Sequence, residues 1–223
     1  MNEKLKSIIK SVILEVQEER SKLGVISSRT GLRTLRVFDF DDTLAKTNSR
    51  VWVSEYDKET DAPIGDEYAI TPAEYATFKV NVASKHPEIE YKYDYREFAE
   101  VRDPKIIDFT FAILRNVVRK LREESAFPAV ILTARGHDAN KNIANFLRSF
   151  DIDIPVITLS GSAPELKSNW IKEAMLTKDI PQIEFFDDSP LNVEAVANLN
   201  SDEVLKARFG TNLRVRSRLI KAH

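Results

Sequence analysis

Short apolar runs alternate with amphipathic segments along most of the chain, and this alternation predicts strands and helices in turn. The runs are rich in β-branched and aromatic residues, as buried strands commonly are. The strand candidates are Leu35–Asp39, Ala129–Thr133, Ile154–Leu159, Ile183–Asp187 and Leu213–Arg216. Segments between them carry apolar residues at helical spacing. The pattern favours an α/β fold, in which helices cover both faces of a parallel sheet.

Three helices have recognisable start signals. Pro104 is typical of a first helical turn, and apolar residues at helical spacing follow it. Asp138 can cap the helix that comes after the second core strand. Ser189 and Pro190 together predict the start of a third helix.

The first part of the chain predicts an amphipathic helix over residues 2–23, followed by a linker, so that residues 1–30 precede a domain spanning 31–223. Its apolar residues form one stripe: Leu5, Ile8, Ile9, Val12, Ile13 and Val16. Gly24 is a typical helix stop. Two interpretations stay open. The helix packs on the surface of its own domain, or it docks a protein partner or a second copy of the chain.

Residues 45–103 form an insertion between the first strand and the next helix. A connection of this length is often a lid or a substrate module. Arg50–Tyr56 predicts a strand of a hairpin flap, and Thr71 and Glu74 have the spacing of a capping box. All six tyrosines lie here, together with Trp52. The favoured interpretation is that these aromatics form a small core of their own; the alternative is that a few of them line a substrate entrance.

Composition excludes several classes of function. A length of 223 residues fits one domain, or one domain with an inserted module. The net charge of −2 argues against a generic nucleic-acid coat and against a membrane-surface protein. The absence of cysteine excludes disulfides, zinc–thiolate sites and thiol catalysis. No apolar run approaches the roughly 20 residues that span a bilayer, and Lys10 and Glu15 interrupt the N-terminal apolar stretch. We therefore expect a cytoplasmic protein that does not engage membranes.

The most informative segment is an apolar strand that leads into Asp39-x-Asp41-x-Thr43. A buried strand that ends in acids places carboxylates at the rim of a sheet. Two acids this close repel each other, which raises one pKa, unless a cation lies between them. Oxygen-only ligands favour a hard cation such as Mg²⁺. An EF-hand is excluded, because Leu44 stands at the sixth position, where that loop needs glycine.

Three further features follow in order along the chain. The second core strand ends in Thr133, whose hydroxyl and following backbone N–H groups could hold phosphate oxygens. Lys167 comes just ahead of the helical stretch 168–175 and could neutralise both a phosphate and an attacking aspartate. The strand that ends in Asp187 and Asp188 can complete a metal site.

With these four motifs in order, the chain resembles the haloacid dehalogenase (HAD) superfamily of phosphohydrolases over about residues 34–218. The resemblance implies a Rossmann-like parallel sheet with helices on both faces, a small insertion after the first strand, and Asp39 at the end of the central strand. Asp39 would then attack phosphorus and become a transient aspartyl phosphate. Asp41 would protonate the leaving oxygen and later activate water.

The resemblance also implies ligands for substrate and metal. The substrate-binding residues would be Thr43, Thr133, Ala134 and Arg135. The Mg²⁺ ligands would come from Asp39, Asp41, Asp187 and Asp188, with Asp41 binding through its backbone carbonyl and Asp187 orienting the others. Lys167 would be the catalytic lysine, although Lys172 and Lys178 compete for that role. Arg135 either caps its own loop through carbonyls or binds a second phosphate.

Substrate size and type are suggested by the insertion and by two local motifs. A small insertion implies an open site, which suits a nucleic-acid end or a phosphoprotein. The Thr-Ala-Arg segment resembles the phosphatase half of phage-type polynucleotide kinase/phosphatases, without the phosphate-binding loop of the kinase half. The Asp-Asp-Ser-Pro turn is similar to that of carboxy-terminal-domain phosphatases. Arg214, Arg216, Arg218 and Lys221 form either a solvated edge strand or a surface for a phosphate backbone.

The expected function is therefore a Mg²⁺-dependent phosphohydrolase that acts on a phosphorylated small molecule or a polynucleotide phosphate end. The alternative is a non-enzymatic binding or assembly protein that uses the HAD scaffold and the N-terminal helix. The phage-type resemblance would place either one in a host cytoplasm.

Overall fold

The strands and helices follow the predicted alternation in the residues that the computed structural model describes, 34–124 and 129–221. In chain order, the strands are β1 (Thr34–Phe38), β2 (Ala45–Lys46), β3 (Val51–Asp57), β4 (Tyr68–Ile70), β5 (Ile89–Asp94), β6 (Lys105–Ile106), β7 (Ala129–Thr133), β8 (Val156–Thr158), β9 (Gln182–Asp187) and β10 (Arg214–Leu219). The helices are α1 (Pro72–Asn81), α2 (Asp108–Glu124), α3 (Asn140–Arg148), α4 (Pro164–Lys178), α5 (Pro190–Ala197) and α6 (Glu203–Phe209). The predicted helix 2–23 lies outside the described residues.

The main sheet has five parallel strands in the order β10-β9-β1-β7-β8. The chain enters at the centre, builds outward through β7 and β8, and then returns to the other side of β1 for β9 and β10. The direction of building therefore reverses between β1 and β9. In open parallel sheets, ligands bind at the carboxyl ends of the strands that flank such a reversal.

Helices flank this sheet, which confirms the predicted α/β class. Leu35, Val37 and Phe185 belong to a buried core that includes residues of α4, α5 and α6. Phe111 of α2, Phe146 of α3 and Phe150 just after α3 form a cluster of aromatic rings, and Phe40 packs against Phe146. Among the described residues, no helix has the length and apolar character needed to cross a membrane.

Two predicted helix starts are wrong. Pro104 does not begin a helix, because Lys105–Ile106 pairs as β6 with β2 and α2 starts only at Asp108. This pairing joins chain segments far apart in sequence, so local signals do not report it. Asp138 lies in a short 3₁₀ helix, and α3 begins after it without a side-chain cap. Ser189 does cap α5, by accepting a hydrogen bond from Asn192 N.

Residues 47–104 form a separate compact unit. Its antiparallel sheet has the order β4-β3-β5, and α1 packs on it through Phe78. Tyr75, Tyr91 and Tyr93 pack against this small core, as the favoured interpretation of the aromatics requires. The predicted capping box at Thr71 is confirmed, since Glu74 N donates to its hydroxyl and Glu74 accepts from its backbone N–H.

Candidate functional site

Three predicted site residues meet where β1, β7 and β9 end. Asp39 directly follows β1, and its backbone N–H donates to the Phe186 carbonyl of β9 at 2.9 Å. Asp187 is the last residue of β9, and Thr133 is the last residue of β7. The parallel register therefore brings an aspartate from each of two neighbouring strands to the edge where the building direction reverses.

A cluster of three carboxylates lies at this edge. Oxygen atoms of Asp39, Asp187 and Asp188 all lie within 4.8 Å of one another. Asp39 is 5% exposed and Asp187 is fully buried. Concentrating negative charge in a buried place is unfavourable unless a cation compensates it. An all-oxygen donor set of this kind fits a hard divalent cation such as Mg²⁺.

The electrostatics of the carboxyl groups agree with that fit. Burial raises the pKa of Asp39 to about 8, against the opposing charge of Lys167, and the neighbouring Asp187 and Asp41 add to the rise. Burial also raises the pKa of Asp188 to about 6, and Asp187 and Asp42 add to it. Without a bound cation, Asp39 and Asp188 therefore tend to hold protons, and a cation would favour their ionised forms.

Lys167 is the lysine that the fold brings to the acids. Its ammonium Nζ lies 2.7 Å from Asp39 Oδ1 and 2.7 Å from Asp187 Oδ2, and the residue is only 4% exposed. Burial alone would lower the pKa of Lys167, but the two carboxylates outweigh it and hold that pKa above its usual value. The residue lies inside the first turn of α4 rather than ahead of the helix. The competing Lys172 instead pairs with Asp202 at 2.6 Å.

Asp187 is held in place from several sides, which suits a positioning role. Its Oδ1 accepts hydrogen bonds from Ser189 N at 2.8 Å and from Asn192 Nδ2 at 3.0 Å, in addition to the Lys167 contact at Oδ2. Asn192 is a site residue that the sequence reasoning missed. The spacing Asp187-x-Ser189-x-x-Asn192 across a helix start was the available signal, since it places the amide one turn inside α5.

Asp41 has an ion-pair partner of its own, outside the carboxylate cluster. Arg135 binds it with two parallel contacts, Nε to Oδ2 at 2.8 Å and Nη2 to Oδ1 at 2.7 Å. The arginine side chain is 2% exposed, whereas that of Asp41 is 31% exposed. The sequence predicted that Arg135 caps its own loop or binds a second phosphate, and it did not predict this pair with Asp41. Both carboxylate oxygens of Asp41 therefore face Arg135.

Two threonines and one alanine of the predicted substrate-binding set shape the loops around the site. Thr43 is fully buried; its carbonyl accepts from the Thr110 hydroxyl, and its own hydroxyl has no partner among the described residues. Thr133 Oγ1 accepts from Arg135 N at 3.3 Å. Ala134 is half-buried, and its carbonyl accepts from Gly161 N at 3.0 Å. The burial of Thr43 favours a role in holding the acidic loop over direct contact with a substrate.

The acidic loop itself turns sharply after Asp39. Leu44 N and Ala45 N both donate to the Phe40 carbonyl, at 2.9 Å and 3.1 Å. Asp42 adopts the left-handed conformation, with φ 51, at the tip of this turn. Burial raises the pKa of Asp42, Asp41 adds to the rise, and Lys46 opposes it. The turn directs the side chains of Asp39 and Asp41 to different partners, Lys167 and Arg135.

Comparisons of this chain with protein-family models, with curated proteins and with solved structures each find no match. The function is therefore argued from the site geometry and from the order of the motifs.

Proposed function

We propose that this chain is a Mg²⁺-dependent phosphohydrolase of the HAD type that works through an aspartyl-phosphate intermediate. The observation that carries the proposal is the Lys167 ammonium bridging Asp39 and Asp187, with Asp188 beside them. This arrangement combines a buried carboxylate, a fixed cation and spare oxygen ligands at one sheet edge. Phosphoryl transfer relies mainly on such positioning and charge neutralisation.

The HAD assignment rests on the order of the motifs and on the strands that carry them. Asp39 follows the central strand, Thr133 ends the next, Lys167 lies in a helix start and Asp187 ends β9. The unit Thr47–Pro104 stands at the chain position where we expect a substrate-selecting insertion. A substrate carrying a phosphate monoester, either a nucleotide or a polynucleotide end, fits this assignment.

In the first step, a carboxylate oxygen of Asp39 attacks phosphorus and the bond to the leaving oxygen breaks. The leaving oxygen takes a proton from Asp41. The attacking carboxylate has to be ionised, which burial opposes and Lys167 favours. A Mg²⁺ held by Asp39, Asp188 and the Asp41 carbonyl would neutralise charge on the phosphoryl oxygens.

In the second step, water attacks the phosphorus of the aspartyl phosphate, and Asp41 accepts the proton that the water loses. Asp39 leaves as a carboxylate and inorganic phosphate is released. Arg135 contacts both carboxyl oxygens of Asp41 and so limits the positions from which Asp41 can exchange a proton. Lys167 stays between Asp39 and Asp187 and keeps the attacking oxygen oriented.

The test is the variant Asp39→Asn. We expect it to abolish Mg²⁺-dependent phosphate release from an aryl phosphate, because an amide oxygen is a poor nucleophile, while circular dichroism stays unchanged. Acid-quenched wild type should carry a phosphoryl adduct on the peptide that contains Asp39, and the variant should not. The matched control is Asp153→Asn, which makes the same chemical change at a side chain that is 78% exposed.

Two outcomes would count against the proposal. Turnover in Asp39→Asn comparable with wild type would exclude Asp39 as the nucleophile. No phosphate release by wild type from nucleotides, phosphorylated oligonucleotides, sugar phosphates and phosphopeptides would favour the non-enzymatic alternative.

A further inference from the structure

Strand β10 presents a row of arginines on one face of the main sheet. Arg214, Arg216 and Arg218 stand at alternate positions, so their side chains point to the same side. Val215, between the first two, is buried in the core formed with α4, α5 and α6 on the opposite face. Alternate residues of a strand are about 6.8 Å apart, so the Cα atoms of the three arginines are evenly spaced along β10. We call these three residues the arginine row.

Glu184, the acid beside Arg216, is already paired with another arginine. The strand register aligns Arg36, Glu184 and Arg216 across β1, β9 and β10. Glu184 Oε2 lies 2.8 Å from Arg36 Nε, whereas its Oε1 is 3.8 Å from Arg216 Nη1. One carboxylate therefore faces two guanidinium groups, and residues 211–221 contain no acid. The Arg216 side chain is 54% exposed, so the row carries accessible positive charge.

The row also runs toward the candidate site. Strand β10 pairs with β9 residue for residue, so Arg218 lies opposite Phe186 and Leu219 opposite Asp187. The Ile220 N–H donates to the Asp187 carbonyl at 2.9 Å, which continues the pairing to the carboxyl edge. The Arg218 guanidinium lies 5.7 Å from the centre of the Phe186 ring. Asp187 pairs with Leu219 and therefore points to the face opposite the arginine row, so an anionic chain bound along the row reaches the carboxylates by crossing the carboxyl edge of β9.

We propose that the arginine row binds the phosphodiester backbone of a single-stranded polynucleotide whose terminal phosphate enters the Asp39 site. This inference rests on the proposed function and names its substrate class. Guanidinium groups match phosphate oxygens with paired hydrogen bonds. Arginines at alternate positions of an edge strand offer repeated positive charge to a regularly charged backbone. Protection of the sheet edge needs charge but does not need three cations of one sign on one face.

The experiment measures binding of a short fluorescent oligothymidylate with hydroxyl ends, by anisotropy, to the full chain. Three phosphate contacts with a single strand predict a slope near −2 in log affinity against log salt, which is about a 20-fold loss between 50 mM and 200 mM salt. The variant Arg214→Gln/Arg216→Gln/Arg218→Gln should bind more weakly at low salt and lose most of that slope. The single variant Arg216→Gln should reduce the slope by about 0.7, which keeps the test available if the triple variant does not fold.

The matched control removes three exposed cations elsewhere in the same unit: Arg148→Gln/Lys206→Gln/Arg208→Gln. It should bind with the wild-type slope. The proposal is overturned if the arginine-row variants keep the wild-type slope, if the control loses as much, or if oligoglutamate binds wild type as tightly as oligothymidylate. The probe has no phosphate monoester, so this result is independent of whether an aryl phosphate is hydrolysed.

Discussion

Two ion networks lie at the carboxyl edge of the main sheet, and they differ in their access to water. Lys167, Asp39 and Asp187 are all nearly or fully buried, with the ammonium 2.7 Å from each carboxylate. Arg135 is equally buried, but its partner Asp41 keeps 31% of its side chain exposed. The first network is closed and the second is open on its acidic side.

This difference separates two chemical tasks that adjacent acids could otherwise share. A closed network fixes an attacking group, because the buried charges cannot reorient without losing their partners. In the open pair, solvent or substrate can reach Asp41 directly, because 31% of that side chain is exposed. Under the proposed function, Asp39 suits the covalent step and Asp41 suits proton transfer.

The largest expected effect comes from breaking the closed network with Lys167→Met. This change leaves two buried carboxylates without their cation, which costs about 3 to 5 kcal/mol of unfolding free energy. Urea unfolding in a chelating buffer at pH 9, above the pKa of about 8 at Asp39, measures the loss. The control is Lys172→Met, which breaks a pair with Asp202 whose side chains are 30% and 21% exposed and should cost less, about 1 kcal/mol. Similar losses in the two variants would contradict the description of the Lys167 network as closed.

The next effect is the pH dependence of stability with and without Mg²⁺. Burial raises the pKa of Asp39 to about 8 and that of Asp188 to about 6, from an ordinary 3.8. Folded protein therefore keeps protons that the unfolded chain releases. This stabilising contribution is present below the ordinary value and is lost as pH rises through about 6 and then 8. Metal-free protein should accordingly melt at a lower temperature as pH rises from 5.5 to 8.5.

Added Mg²⁺ should oppose that loss. It binds ionised carboxylates, so its stabilisation should be small at pH 5.5 and should approach about 2.7 kcal/mol at pH 8.5 when its concentration is 100 times the dissociation constant. Differential scanning fluorimetry measures the shift. Asp188→Asn should reduce the shift, whereas Asp153→Asn should leave it unchanged. A Mg²⁺ shift that does not vary with pH would contradict the proposed ligand set.

Much of the closed network could be predicted from sequence, and the open pair could not. Asp39 and Asp187 each follow an apolar run, so the rule for parallel sheets predicts that they meet. Lys167 was predicted from its place just ahead of a helical stretch, with Lys172 and Lys178 as competitors. The Arg135–Asp41 pair joins residues 94 positions apart and depends on how two loops face each other, which no local pattern encodes. The contact between the Thr110 hydroxyl and the Thr43 carbonyl joins residues 67 positions apart, so no local pattern encodes it either. Thr110 lies in the first turn of α2, which begins at Asp108 and not at Pro104.

The smallest expected loss of stability comes from opening the second pair with Arg135→Gln. Water can solvate the exposed side of Asp41, so the loss should be about 2 kcal/mol or less, below that of Lys167→Met. The conservative control is Arg135→Lys, which keeps the charge but cannot contact both carboxylate oxygens of Asp41 in the same way. It should restore only part of the phosphate release.

The effect of Arg135→Gln on catalysis should depend on the leaving group. Nitrophenolate departs without a proton, whereas an alkoxide needs one from Asp41. If Arg135 positions Asp41 for that transfer, kcat for an alkyl phosphate should fall about tenfold more than kcat for nitrophenyl phosphate. Parallel kinetics on the two substrates measure the ratio. An equal fall on both would mean that Arg135 acts on the phosphoryl group or on the fold, and the division of labour between Asp39 and Asp41 would lose its structural basis.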